Sequence, residues 1–337
     1  MCNNKHDIIT FGRSSIDLYS QNIGAPFNLI KGFDAFVGGS PLNIAVGCSR
    51  LGLDASLLSA VGEDKVGEFL INFLTEEGVN ITNVPTKKGT RTSAVILGIE
   101  PPDKFPLVYY RDNASDSQVD IDDVDRANIS DYKVLLINGT AMNIEPTRSA
   151  TFHATEIALK NDLEVVLDLD FRADQWHDYR AFGVTMRAIL PRVKIAIGTE
   201  EEILAATMEN VSQVEIKDQQ ISAPEIKGDI DLAIKKILAT GVETLIVKRG
   251  EKGASIHSHD GTMTSVPGFP VEILNVLGAG DAFASGFLYG IINDWDLYKS
   301  CRMGNASGAH VVTQKGCANF MPTLEQSLEF INKNGGF

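Results

Sequence analysis

Cysteine is scarce in this chain, and no part of it runs apolar for long. The four cysteines, Cys2, Cys48, Cys301 and Cys317, are scattered over 337 residues. They form no C-x-x-C pair and no metal-ligating spacing, which argues against a disulfide framework or a zinc site and fits reduced thiols in a cytosol. No window is long and apolar enough to span a bilayer. The opening stretch MCNNKHDIITFGRSSIDLYS lacks the apolar core of a signal peptide, so a soluble cytoplasmic protein is expected. Basic residues are outnumbered, 30 against 44 acidic, and the formal net charge of -14 argues against non-specific binding to nucleic acid or an anionic membrane. There is no internal repeat, no clear linker and no G-x-x-x-x-G-K-S/T phosphate loop.

What is present is an alternation. Short apolar runs (Asp7–Phe11, Ser56–Val61, Lys133–Asn138, Glu164–Leu169, Ile195–Ile197, Thr244–Lys248) alternate with helix-forming stretches such as Glu145–Asn161 and Asp229–Thr240. That order reads as α/β with a largely parallel sheet. Two regions break it, about 16–37 and 91–112. The second, RTSAVILGIEPPDKFPLVYYRD, reads as two strands around a Pro-rich tip, and a hairpin does not belong inside a parallel sheet. The two regions are expected to form a small β-sheet lid on a single domain spanning 1–337. The polar stretch Asn210–Asp229 reads as a connection.

Two stretches carry chemistry. In NVLGAGDAFASGF, Phe283, Phe287, Leu288, Ile291 and Ile292 recur at helical spacing, so a helix starts near Ala279. Gly278, Ala279 and Gly280 can aim unpaired N–H groups at an anion, and Asp281 in the first turn is expected to be held ionised by the same field. A carboxylate beside an anion cradle suits phosphoryl transfer. Taken alone, the turn reads equally as an ordinary glycine-rich helix start. It is not a dinucleotide fingerprint, because G-x-G-x-x-G fails at Phe283. In VGGSPLNIAVGCSRLG, Ser40 is the expected N-cap and Pro41 the first helical residue. Leu42, Ala45, Val46 and Ser49 form an inward stripe, and Gly52 the stop. Gly38, Gly39 and Asn43 then lie at a helix start where a polar ligand can rest.

Together, Gly38–Asp64 and Gly278–Phe287 resemble the two signatures of the ribokinase-like, or PfkB, sugar kinases, in order, spacing and total length. The resemblance implies a three-layer α/β/α fold with a mostly parallel central sheet, and ATP with Mg2+ as cofactors, a monovalent cation being a further option. It implies that Gly278, Ala279 and Gly280 form an anion hole and that Asp281 is the base. Asn275 replaces the first Asp of the commoner D-T-x-G-A-G-D form. By the same resemblance, Asp17 in GRSSIDLY holds sugar hydroxyls. Lys248, Gly250 and Gly253 in VKRGEKGA, and Asn305 in GNASGA, line the nucleotide. Thr199 and Glu202 in TEEE stand for the N-x-x-E motif, with Glu202 linked to the metal through water.

Substrate choice rests on VVLDLDFRADQW. Asp168, Asp170 and Arg172 alternate at a strand end, which places them on one side while the chain stays extended. Arg172 can fork onto a carboxylate, and Arg111, sharing a face with Tyr109, offers a second guanidinium from the lid. For either arginine alone, surface ion pairing is the simpler reading. The forms GRSSIDL, DLDFR and GTEEE resemble the family's kinases of 5-dehydro-2-deoxygluconate, which phosphorylate its terminal hydroxyl. Kinases of 2-keto-3-deoxygluconate and fructose are the alternatives. From a different class, a non-catalytic sugar- or nucleotide-binding regulator stays open, and a dinucleotide oxidoreductase is weaker. An apolar outer lid face would invite a homodimer. His257 and His259 form H-x-H without a third ligand and read as strand residues.

Overall fold

Short continuous apolar runs build the centre of the molecule. In a computed structural model that describes residues 5–100, 105–215 and 225–337, eight strands form one sheet. Their order is Met263–Val266, Ala254–Ser258, Thr244–Lys248, Ile195–Thr199, Glu164–Asp168, Tyr132–Asn138, His6–Phe11, Ala55–Leu58. The six from Thr244–Lys248 to Ala55–Leu58 run parallel, and the two at the other edge are antiparallel. The run read as Ser56–Val61 divides into Ala55–Leu58 and Val61–Gly62.

Successive strand residues point to opposite faces, and helices cover both. Ile9, Leu135, Leu167 and Leu245 pack with Ala150, Phe182 and Ile237 on one side. Ile8, Leu136, Val166 and Ile246 pack with Ile44, Phe283 and Phe287 on the other. The result is the α/β/α layering expected from the sequence. The helices run Thr147–Lys160 and Ile230–Leu238 where Glu145–Asn161 and Asp229–Thr240 were expected, because Asp229 caps the latter through Leu232 N–H at 3.1 Å. Burying one large side chain fully is worth about 1.5–3 kcal/mol, so these layers, more than local propensity, fix the strand ends.

The two interrupting segments supply a second sheet, in the order Phe33–Gly38, Ser15–Ser20, Ser93–Leu97, Leu107–Tyr110. Ser93–Leu97 and Leu107–Tyr110 pair antiparallel, as a hairpin requires. Residues 101–104 of its expected PPDKFP tip lie outside the described residues, as does Cys2. Asp17, Phe36, Val95 and Tyr109 occupy one row across this sheet. The stretch Asn210–Asp229 contains a short turn, Val211–Gln213, and two paired two-residue strands, Val214–Glu215 and Glu225–Ile226.

One helix start differs from expectation. Gly39, at φ 103, precedes the helix Ser40–Arg50, and Ser40 is its first residue and makes no side-chain cap. The Ser40 hydroxyl instead accepts from Asn138 Nδ2 at 3.1 Å. A left-handed turn at Gly39 is open to glycine at little cost, so no side-chain cap is needed. Cys48, Cys301 and Cys317 are buried free thiols. Among the described residues, no helix is long and apolar enough to cross a membrane.

Candidate active site

The parallel strands end together. Register pairs Lys248 with Thr199, Asp168 with Asn138 and Phe11 with Ile137. One edge of the sheet therefore gathers Lys248, Thr199, Asp168 and the turn after Phe11. Ligands of open α/β sheets bind beyond such ends.

Two helices close on that edge. Gly47 lies so near Ser285 that any side chain there would overlap it, which lets Ser40–Arg50 and Ala279–Ile292 approach closely. One turn earlier on each helix, Asn43 Nδ2 donates to Asp281 Oδ2 at 2.7 Å. Asn43 Oδ1 is buried without a hydrogen-bond partner among the described residues, an acceptor lacking its donor. Asp281 itself is half-buried. Burial pushes its carboxyl above the usual aspartate range. Asp170 adds to that, while donation from Asn43 and Ser40 and the Arg172 charge pull back less. The net shift is upward, so burial and the Asp170 charge outweigh the two donors and the Arg172 charge.

The turn before Asp281 is built for an anion, though not by all the expected residues. Gly278 adopts φ 83, and a side chain there would overlap Cys317. The Cys317 Sγ stands 3.6 Å from Asp281 Oδ2. Ala279 N–H turns to Val276 O at 3.3 Å and Ala282 N–H to Gly278 O at 2.9 Å. Ala279 thus spends its amide closing the turn, while the amides of Gly280 and Asp281 have no protein acceptor among the described residues. Lys248 Nζ lies 3.1 Å from where a Cβ on Gly280 would sit. Two open amides and an ammonium group make an anion cradle.

Lys248 is held from behind, 3.3 Å from Asp168 Oδ1 and 3.6 Å from Glu202 Oε2. Burial pushes Asp168 up to about 7 against the pull of Lys248. Glu202 is fixed by a capping box: Thr199 N–H donates to Glu202 Oε2 at 2.8 Å, and Glu202 N–H to Thr199 Oγ1 at 3.2 Å. Asp170 does not continue the strand. It turns left-handed at φ 36, so the extended geometry expected for Asp168, Asp170 and Arg172 fails there. Arg172 still meets Asp170 at 2.7 Å and lies 3.8 Å from Glu202.

On the small sheet, Asp17 fills the space beside Gly38 that a side chain would need. Ser15 Oγ donates to Asp17 Oδ1 at 2.7 Å, and Arg13 Nη1 to Ser15 Oγ at 3.0 Å. Tyr109 faces inward with the Arg13 guanidinium 5.2 Å over its ring. Arg111 is engaged elsewhere: it pairs with fully buried Asp116 at 2.5 Å and donates to Gln175 Oε1 at 3.3 Å. Asn305 gives its amide to the carbonyls of Val266 and Pro267 at 3.3 and 3.0 Å. Gly253, at φ 86, abuts residues 266–268, while Gly250 stands open. His257 meets Ser255 Oγ at 2.9 Å, and the described residues contain no metal-capable cluster of three or more His, Cys, Asp or Glu.

The structure therefore gathers Asp17, Gly38, Gly39, Asn43, Tyr109, Arg172, Lys248, Glu202, Gly278, Gly280 and Asp281 around one edge, and turns Arg111 and Asn305 to protein partners. Sequence reasoning passed over Arg13, Ser40 and Cys317. For Arg13 the signal was present, since residues 13, 15 and 17 alternate toward one side. Cys317 had none, because its contact is tertiary.

A model of the pfkB family of carbohydrate kinases matches residues 5–324. The chain is 32% identical over 330 residues to a 5-dehydro-2-deoxygluconokinase of Clostridium perfringens, covering 98% of this chain and 94% of that one. It is also 32% identical over 329 residues to the 5-dehydro-2-deoxygluconokinase of Geobacillus kaustophilus, covering 97% and 94%. The crystal structure of a fructokinase with bound ATP from Xylella fastidiosa superposes with a TM-score of 0.83 at 23% identity, covering 98% and 99%.

Proposed function

The chain belongs to the pfkB family of carbohydrate kinases, and from that premise we propose that it transfers the terminal phosphoryl group of ATP to the terminal hydroxyl of 5-dehydro-2-deoxygluconate, giving the 6-phosphate. The observation that carries the reading is the pairing of a base with an anion cradle on one helix start. Asp281 stands one residue beyond Gly280, with Asn43 orienting its carboxylate at 2.7 Å. Asp281 takes the hydroxyl proton as the oxygen attacks phosphorus and ADP leaves. The amides of Gly280 and Asp281, with Lys248, hold the moving negative charge. Asp17, Gly38, Gly39 and the unpaired Asn43 Oδ1 hold sugar hydroxyls, with Tyr109 and Arg172 beside them.

The nucleotide lies along Lys248, Thr199, the Gly250–Gly253 turn and Gly278–Gly280, with the carboxamide oxygen of Asn305 as a further contact. Magnesium on its phosphates would supply charge neutralisation. The carboxylate of Glu202, fixed by Thr199, is a hard oxygen donor of the kind such a cation takes and would reach it through water. The whole chain works as one domain in the cytoplasm, with the four-stranded sheet as a lid that excludes water. Its outer rows carry Leu18, Ala94, Ile96, Val108 and Tyr110, an apolar face suited to a second copy of the chain.

The test is a panel of ATP-dependent turnover on keto-deoxy sugar acids and neutral sugars. Turnover is expected on 5-dehydro-2-deoxygluconate, lowered about 10²–10⁴-fold in Asp281→Asn. Equal turnover on fructose sinks the substrate assignment. Nucleotide binding without turnover on any member returns the chain to a regulator.

A further inference from the structure

Arg13 is 9% exposed, yet no carboxylate lies within ion-pairing distance of it among the described residues. Its neighbours are differently committed: Arg111 pairs with Asp116 at 2.5 Å, Arg172 with Asp170 at 2.7 Å, and Lys248 with Asp168 at 3.3 Å. Among the described residues Arg13 makes one donation to Ser15 Oγ at 3.0 Å and a cation–π approach to Tyr109 at 5.2 Å. A guanidinium has five N–H donors in a planar fork. Asp17, Asp170 and Asp116 offset the burial of its charge only from beyond ion-pairing distance, so the fork keeps donors that a bound anion can satisfy. Its surroundings are the site itself. It follows the strand His6–Phe11, joins Asp17 through Ser15, and lies over Tyr109 in the row that Asp17 shares.

We propose that Arg13 is the specificity-determining residue that takes the carboxylate of the sugar acid, the role sequence reasoning gave to Arg111 and Arg172. This rests on the sugar-acid reading and deepens it. Asp17 stands between the two ends of the site: it joins Arg13 through Ser15, and the Asp281 charge also acts on it. A chain substrate laid along Asp17 puts its acid end at Arg13 when its terminal hydroxyl faces Asp281. The Ser15 relay and the Tyr109 face hold the fork in place when the site is empty, and the substrate completes its hydrogen bonds in a bidentate pair.

The experiment compares kcat/KM for the keto-deoxy acid with that for the neutral analogue whose carboxylate is reduced to an alcohol. The wild-type protein is expected to favour the acid about 100-fold, in line with charge-assisted recognition. Arg13→Gln is expected to bring that preference to within about fivefold while ATP binding, followed by fluorescence titration, is unchanged. Arg13→Lys, which keeps charge and loses the fork, should fall between them, and decides the matter if Arg13→Gln does not fold. A preference unchanged in either folded variant overturns the assignment to Arg13. If wild-type protein turns over no sugar acid, the broader functional reading fails first, and the two failures are distinguishable.

Discussion

Asp281 titrates under opposing pulls, and their balance sets a pH dependence. As the proposed base it works only when deprotonated, so kcat/KM is expected to fall as pH falls through its pKa. Burial raises that pKa and Asn43 lowers it, so the acid limb lies above the value of about 3.9 of an unperturbed aspartate. Removing the Asn43 donor takes away a lowering influence. Asn43→Ala is therefore expected to move the acid limb of the kcat/KM profile to higher pH. A loss confined to substrate binding would lower the profile without moving the limb, and that result would place the titrating base elsewhere. Asp17, which burial also pushes up, is the competing carboxyl in such a profile, and Asp17→Asn separates the two.

At the scale of elements, the helix Glu200–Ala206 is seven residues long, too short to be stable by propensity alone. Its capping box satisfies the Thr199 and Glu202 amides and also freezes Glu202 beside Lys248. Thr199→Ala is expected to cost about 1 kcal/mol in urea unfolding and to weaken nucleotide binding by loosening Glu202. Thr199→Ser, which keeps the acceptor, should restore both. Stability lost with nucleotide affinity intact would make the cap structural only. The paired helices Ser40–Arg50 and Ala279–Ile292 show the same economy. A glycine against a serine one turn along sets the spacing at which asparagine meets aspartate.

For the whole molecule, two sheets meet at one edge, and the proposed substrate site lies between them. The buried Arg111–Asp116 pair ties the end of the strand Leu107–Tyr110 to the body, through a turn that Ser93 also engages by hydrogen bonding to Asp116. The other face of that sheet leaves Val108 44% and Tyr110 59% exposed. If this face meets a second copy, sedimentation should give a dimer, and Val108→Glu with Tyr110→Glu should give a monomer. A monomer at all concentrations in the unsubstituted protein would leave the face without that partner.

The sequence by itself determined the layers and the landmarks. Apolar runs became strands because burial on both faces of a parallel sheet demands continuous apolar residues; Thr244–Lys248 kept its expected bounds, while others shifted at their ends or, as with Ser56–Val61, divided. Gly278–Asp281 and Gly38–Gly39 fell at helix starts because left-handed backbone and unpaired amides are local properties. Only the tertiary structure decided which polar group each side chain meets. Arg111 and Arg13 look alike in sequence, but one pairs with Asp116 across a turn and the other has no carboxylate within ion-pairing distance among the described residues. Asp281 reads as a helix-start carboxylate, but burial in the folded chain, against the pull of Asn43, sets the upward direction of its pKa. Pairing partners and desolvation depend on residues far apart in the chain, and a linear pattern carries no record of either.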